Sequence, residues 1–353
     1  MARRETREVT VRAVPIGGQH PVAVQSMTNT DTEDSEATLA QIERLAAAGC
    51  AIVRVAIPNR RAAESFAHIR RQTDVPLVAD IHFQHQLAVA AIEAGADKVR
   101  INPGNIGSPD KVRVVADAAR AAGIPVRIGV NAGSLEKEIL AKHTHPTPQA
   151  LYESAIHNIQ LMESFGFDDI VVSIKASDVC ATIEACTLLS RESDRPQHIG
   201  ITESGTVRTG TIRSSVGIGT LLAQGIGDTI RVSLAGDPLQ EVYVAREILK
   251  SLKLAAGPIV IACPTCGRTQ IDVASLAERV EQMVAGITAP MTVAVMGCVV
   301  NGPGEAREAD VGIAGGRGEG QVFRRGVAVE KVKESELLDR LWHHIQELAA
   351  ERA

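Results

Sequence analysis

One hydrophobic phrase recurs through the N-terminal part of the chain. A short β-branched apolar run ends in polar or charged residues, and an Ala/Leu-rich amphipathic stretch follows. Eight such runs predict strands, over 22–25, 52–57, 77–82, 98–102, 126–131, 170–175, 199–203 and 229–233. The spacing between them predicts helices, among them 36–48, 61–72, 87–94 and 110–122. Gly49, Gly95, Gly123 and Gly166 stand where helices would end, and Pro76 and Pro125 sit just before strands, where no helix could continue. Eight βα units in about 250 residues match the size of a (β/α)8 TIM barrel. A doubly wound open sheet is the alternative. It usually has fewer strands and a Gly-rich phosphate turn after the first, and none is visible here. Gly217-Ile-Gly219 and Gly225-Ile-Gly227 flank the seventh helix and read as tight turns. The segment 132–146 is long for a barrel loop, and either a lid over the mouth or an extra surface helix would account for it.

The pattern changes after about Lys253. A short linker over 254–258 leads to a strand at 259–262, a turn holding Cys263 and Cys266, a helix over 272–285 and a strand over 291–296. Cys298 to Glu305 follow, then short strands at 310–314 and 321–329 and an amphipathic helix over 334–350. The expected fold is therefore α/β: an N-terminal TIM barrel, residues 1–256, and a small α/β domain, residues 257–353, that carries a thiolate centre.

A barrel places functional groups at the C-terminal ends of its strands. The polar residues inside or ending the runs are Gln25, Arg54, Asp80, His82, Arg100, Asn102, Arg127, Asn131, Lys175, Glu203, Arg231 and Ser233. Charges inside apolar strands are unfavourable unless paired or turned into a functional cavity. Arg54, Arg100, Arg127, Arg231 and Lys175 come from five different strands and would converge on one mouth. Internal salt bridges could absorb some of them, but only Asp80 and Glu203 stand in comparable positions. Guanidinium forks pair bidentately with phosphate oxygens, so such a mouth suits a small substrate bearing a diphosphate. Glu203 and His82 are the acid–base candidates. His85, His143, His145, His198, His343 and His344 have no comparable context and receive no role.

Cys263-Pro-Thr-Cys266 and Cys298 offer three thiols, and Glu305 offers a carboxylate seven residues beyond Cys298. Thiolates select zinc, copper(I) or iron–sulfur centres. Three thiolates with one exchangeable oxygen suit a reactive centre better than a structural staple, since closed zinc sites usually have four ligands from the protein. Cys50, Cys180 and Cys186 read as small buried hydrophobes.

Composition narrows the partners. Only eight aromatic residues occur (Phe 5, Tyr 2, Trp 1), too few for stacking single-stranded nucleic acid, and a net charge of −5 gives no pull towards DNA or anionic membranes. No run approaches a transmembrane helix, and the charged N-terminus lacks the apolar region of a signal peptide, so a cytoplasmic protein with free thiols is expected.

Several stretches together carry a specific resemblance: Val24-Gln-Ser-Met-Thr-Asn29, Val78-Ala-Asp-Ile-His-Phe83, Arg100-Ile-Asn-Pro-Gly-Asn105, Ile128-Gly-Val-Asn-Ala-Gly-Ser134, Lys175-Ala-Ser-Asp178, Gly200-Ile-Thr-Glu203, Cys263-Pro-Thr-Cys266 and Cys298-Val-Val-Asn-Gly-Pro-Gly-Glu305. In this order they resemble the bacterial 4-hydroxy-3-methylbut-2-enyl diphosphate synthases of the non-mevalonate isoprenoid pathway. Ser204-Gly-Thr-Val-Arg208 departs from the smaller residues expected after the glutamate. The resemblance implies one 4Fe-4S cluster per chain on Cys263, Cys266, Cys298 and Glu305. It implies reduction of 2-C-methyl-D-erythritol 2,4-cyclodiphosphate with electrons from reduced flavodoxin or ferredoxin. It places Arg54, Arg100, Asn102, Arg127, Asn131, Lys175, Arg231 and Ser233 around the substrate, gives proton and hydroxyl handling to Asp80, His82 and Glu203, and sets Asn301 by the cluster. It also implies a head-to-tail homodimer in which each cluster domain caps the partner's barrel. Without it, a zinc enzyme on a phosphate-binding barrel and a cluster-bearing electron carrier remain the alternatives.

Overall fold

Eight parallel strands close into a barrel in the first of two units. The computed structural model describes residues 3–298, 304 and 307–352, and the chain divides into residues 1–254 and 255–353. A hairpin of β1 (Val9–Val11) and β2 (Val14–Ile16) comes first. The barrel strands are β3 (Ala23–Met27), β4 (Ile52–Ala56), β5 (Leu77–Asp80), β6 (Lys98–Ile101), β7 (Val126–Asn131), β8 (Ile170–Lys175), β9 (His198–Ile199) and β10 (Thr229–Ile230). They neighbour one another in chain order, β10 pairs with β3, and a parallel bridge between Val172 and Gln197 joins β8 to the start of β9. The sheet thus comes round on itself, which excludes the doubly wound alternative.

Strand side chains alternate between two faces, and here the faces differ in kind. Val53, Val55, Ala79, Val99, Ile101, Ile128, Val172 and Ile230 pack outward in the main core with residues of the surrounding helices, such as Phe66, Val115 and Leu189. The interleaved positions point inward and are mostly polar. The first inward residues of three strands, Ala23, Ile52 and Val78, form a separate apolar cluster with Val11 and Ile16 of the hairpin. The hairpin therefore gives the barrel an apolar floor, and the polar interior opens towards the C-terminal strand ends.

Local signals set the helix starts. Asp34, Asn59, Thr147 and Asp178 each accept a hydrogen bond from a first-turn backbone N–H, as N-caps do. Two strands fall far short of the hydrophobic runs. β9 and β10 hold two residues each, and beyond them single contacts, such as Ala235 N to Gly205 O at 2.9 Å, replace the ladder. Gly217 and Gly219 lie inside the helix Val207–Ala223 rather than in a turn. A Cβ at 217 would meet Ile201 Cδ1 at 2.5 Å, so that glycine lets the helix pack against the segment that follows β9, while Gly225 and Gly227 adopt the positive φ of turns. Segment 132–146 forms a short turn and a surface helix, Lys137–His143. Glu136 ties it down, accepting from Ser154 Oγ at 2.7 Å and Asn158 Nδ2 at 2.6 Å.

The second unit is a five-stranded sheet: β11 (Pro258–Ala262), β12 (Met291–Met296), β13 (Val311–Gly315), β14 (Glu319–Arg324) and β15 (Val327–Lys333). The first three run parallel, β14 pairs antiparallel with β13, and β15 pairs antiparallel with β14. Helices Val273–Val284 and Leu337–Glu351 cover one face through Val280, Val284, Leu341 and Ile345. The run 321–329, expected as one strand, is split between the two strands of a hairpin. Its turn residues Arg325 and Gly326 both have positive φ, as the tight turn of a two-residue hairpin requires. Among the described residues no helix is long and apolar enough to cross a membrane.

Candidate active site

The polar interior is dominated by positive charge. Arg54, Arg100, Arg127, Lys175 and Arg231, expected from five strands to meet, lie within electrostatic reach of one another. Lys98, also buried, adds a sixth cation near Arg127 and Arg54. Burial and these like charges drive the Arg127, Lys175 and Lys98 side chains well below their ordinary pKa ranges. Arg127 Nε and Nη1, Lys98 Nζ and both amide atoms of Gln25 have no hydrogen-bond partner among the described residues. An interior of this kind is prepared for an anion.

Asp80 is the hub of the cluster. Arg100 Nη1 donates to its Oδ1 at 3.2 Å, Arg54 Nε lies 3.6 Å from its Oδ2, and His82 Nε2 lies 3.6 Å from the same oxygen. Burial pushes the carboxyl up, but Arg54, Arg100 and Arg127 outweigh it and hold it at about 2. Burial lowers Arg54 to about 10 against the pull of Asp80. Arg54 also donates to Met27 Sδ at 2.9 and 3.1 Å. With its amide oxygen facing Arg100, Asn131 accepts from Nη2 at 2.8 Å.

Arg231 has a partner that strand position could not reveal. Glu241, on the helix Pro238–Ser251, takes its Nε and Nη2 at 3.0 and 2.9 Å, and also accepts from Ser26 Oγ and Leu234 N. Arg231 Nη1 reaches Ser233 Oγ at 2.9 Å. The expectation that only Asp80 and Glu203 could balance the strand-borne cations is thus corrected. Lys175 Nζ lies 3.1 Å from His198 Nε2. His198 opens β9 and is fully buried; its inward position is visible only once the register of this two-residue strand is known.

Other expected site residues sit differently. His82 lies beyond the end of β5 and is half exposed. Glu203 is solvent-exposed on the turn after β9 and makes no hydrogen bond or ion pair with any described residue. Its φ of 50° is a left-handed conformation uncommon for a side-chain-bearing residue, and such strain gathers at functional turns. Asn102 is buried and occupied, accepting from Gly104 N at 3.2 Å and donating to Ser134 Oγ at 2.6 Å.

The thiols lie at one edge of the second sheet. Parallel strands β11 and β12 pair Ala262 with Val295, so Cys263 and Cys298 leave the sheet at neighbouring ends. Cys263 Sγ accepts from Gly297 N at 3.1 Å. Cys266 is exposed, and hydrogen bonds from the Arg268 backbone and then its side chain lower its thiol pKa. Among the described residues no three His, Cys, Asp or Glu side chains gather closely enough to hold a metal ion. Asn301 and Glu305 lie outside the described residues. The donor chemistry nevertheless fits a thiolate-bound cluster: two thiols share one strand-end turn, the third follows the end of the next strand, and one is already biased towards thiolate. Cys50 and Cys186 are buried and their thiols are pushed up to about 12 by burial, as expected of inert hydrophobes, whereas Cys180 is exposed on a helix and is no core residue.

Residues 6–246 match the family description "GcpE TIM-barrel domain" and residues 259–347 match "GcpE protein C-terminal domain". The chain belongs to the GcpE family. Its relatives include the 4-hydroxy-3-methylbut-2-en-1-yl diphosphate synthase (flavodoxin) of Geobacter sulfurreducens, 56% identical over 351 residues and covering 99% of each chain. The like-named protein of Caldanaerobacter subterraneus subsp. tengcongensis is 56% identical over 350 residues, again covering 99% of each chain. The fold is also similar to dihydropteroate synthase from Stenotrophomonas maltophilia, with a TM-score of 0.53 at 15% identity, over 70% of this chain and 97% of that one. That likeness concerns the barrel architecture alone. In the GcpE chain the inward cations belong to the first matched domain and the three cysteines to the second.

Proposed function

We propose that this GcpE chain is an oxidoreductase that opens the ring of 2-C-methyl-D-erythritol 2,4-cyclodiphosphate by two-electron reduction. Loss of water then gives (E)-4-hydroxy-3-methylbut-2-enyl diphosphate. The observation that carries this reading is a buried, under-neutralised cationic barrel interior in a chain related over 99% of its length to synthases of that name. Six cations face only Asp80 and Glu241, so a dianionic diphosphate offsets part of the remaining positive charge where a neutral substrate would not.

Arg54, Arg100, Arg127, Lys175, Asn131 and Ser233 hold the diphosphate, with Arg231 beside it and Asn102 shaping the wall. Asp80 stays ionised, orients Arg54 and Arg100, and accepts from a substrate hydroxyl. His82 and Glu203, both reachable from solvent, deliver or receive the protons that accompany loss of the hydroxyl. Cys263, Cys266 and Cys298, with Glu305 as an exchangeable oxygen ligand and Asn301 nearby, hold one 4Fe-4S cluster. When bound, such a cluster supplies low-potential single electrons. Reduced flavodoxin, named for the relatives, is the donor, with ferredoxin as a substitute of the same chemistry. The setting is cytoplasmic, where thiols stay reduced. The working form is a head-to-tail homodimer in which the barrel of one chain meets the cluster domain of the other.

The test is turnover under anaerobic conditions with a chemically reduced flavodoxin, followed by phosphorus NMR. Replacement of the cyclic diphosphate signals by those of a linear diphosphate supports the proposal. Persistence of the cyclic compound with fully loaded enzyme and reductant would refute it.

A further inference from the structure

Lys175 is held from below by a neutral histidine that sequence position gives no reason to notice. His198 is the first inward residue of β9 and is fully buried. Its Nε2 lies 3.1 Å from Lys175 Nζ and its Nδ1 lies 2.7 Å from Thr229 Oγ1 on the adjacent strand β10. In its charged form, the one that binds an anion, Lys175 only donates, and Nε2 is then the acceptor. The ring hydrogen then sits on Nδ1, where Thr229 Oγ1 accepts it. Burial, together with the neighbouring Lys175, Arg127 and Lys98, keeps the ring uncharged, which this arrangement requires. The ammonium also lies against Gly200, the next inward position of the same chain segment. A Cβ there would lie 2.9 Å from Lys175 Nζ. Lys175 thus occupies a slot lined by an imidazole and a bare backbone position.

The slot solves a specific problem. Arg127, Arg54, Arg231 and Arg100 all repel the Lys175 ammonium, and a flexible four-carbon stem would let it retract or lose its proton. Among the described residues His198 is the one group that accepts from it. We infer that His198 is a positioning residue: through its Thr229-fixed tautomer it holds the Lys175 ammonium extended in the barrel before the anionic substrate arrives. This rests on the reading of Lys175 as a diphosphate ligand. The benefit is preorganisation, which appears in substrate binding and leaves the chemical step alone.

The experiment uses cluster-loaded enzyme and reads KM and kcat for the cyclodiphosphate in four variants. His198→Gln keeps an acceptor oxygen where Nε2 was. His198→Asn keeps a donor near Thr229 and loses that acceptor. Lys175→Met removes the ammonium, and the fourth variant combines His198→Asn with Lys175→Met. Expected are a KM raised roughly tenfold in His198→Asn with kcat little changed, and recovery to within about threefold of the parent in His198→Gln. The double variant should be no worse than Lys175→Met alone, because the histidine acts only through the lysine. The inference is overturned if His198→Asn leaves KM unchanged while Lys175→Met raises it. It is also overturned if the two defects multiply, or if Gln and Asn are equally impaired, since a purely structural histidine would behave so. An unchanged KM in Lys175→Met would instead refute the ligand role of Lys175, and with it the reading on which the inference stands.

Discussion

The guanidinium of Arg100 occupies the space that a side chain at Gly129 would fill. A Cβ built at 129 would lie 2.8 Å from Arg100 Nη2 and closer still to Nε. Both residues face inward on neighbouring strands, with Arg100 anchored to Asp80 and Asn131. Gly129→Ala should therefore displace a substrate ligand while leaving the fold intact, because the atoms that must move are the end of one side chain. A hydrogen bond to a charged group is worth about 1.5–3 kcal/mol, so kcat/KM should fall on the order of 10- to 100-fold. Steady-state kinetics with a circular dichroism melt checks both halves of that expectation.

Asp80 makes the stability of the barrel sensitive to acid. Its folded pKa of about 2 is below its ordinary value of 3.8, so folding favours the ionised form. That contribution is complete above about pH 4 and disappears as the pH falls through 2. It amounts to roughly 2 kcal/mol by linkage. Denaturant unfolding of the parent and of Asp80→Asn at pH 5 and pH 2 should show the gap between them shrinking by about that amount on acidification. At pH 5 the variant should be the less stable, because Arg54 and Arg100 lose their buried counter-charge.

Glu241 and the diphosphate should compete for the same guanidinium. Glu241→Gln leaves Arg231 without its buried carboxylate, at an expected loss of about 3 kcal/mol. Inorganic pyrophosphate supplies the missing negative charge, so it should raise the melting temperature of the variant more than that of the parent. Equal shifts would place Arg231 away from the anion.

The two domains should be separable in function but complementary in a dimer. Cys298→Ser should abolish iron binding and turnover, yet leave pyrophosphate binding to the barrel unchanged by calorimetry. Glu203→Gln should keep its iron and lose turnover. Verified mixed dimers of the two should regain part of the parent activity, since the proposed head-to-tail arrangement would leave one of the two barrel–cluster pairs intact. No recovery would argue against sites shared between chains.

The barrel and its cations are legible in the sequence because alternation is a strong signal. Arg54, Asp80, Arg100 and Arg127 break β-branched runs, and period two sends them all to the same side. Lys98 escapes that signal because it only opens its run, and His198 because it falls just before the run 199–203; β9, two residues long, offers almost no pattern to set the register. Glu241 escapes it because a helix brings it back to Arg231, a contact that no strand pattern encodes. The β14–β15 hairpin reads as one strand because its Arg325-Gly326 turn lacks the usual Asn-Gly pair, although its backbone has the same positive φ values. Glu203 is legible as a position and not as an environment. The left-handed turn that lifts it into solvent runs directly into Gly205, at φ 115°, in the segment 204–208 whose residues depart from the resemblance.

The most direct test is the metal content of anaerobically purified protein, by iron, sulfide and zinc analysis with an absorption spectrum, before and after addition of the cyclodiphosphate and a low-potential reductant. The expected result is brown protein with about four irons and four sulfides per chain, whose spectrum changes on reduction while the cyclodiphosphate is consumed. Colourless protein holding stoichiometric zinc, with the cyclodiphosphate untouched, would contradict a reductive enzyme and leave a phosphate-binding barrel with a structural metal domain.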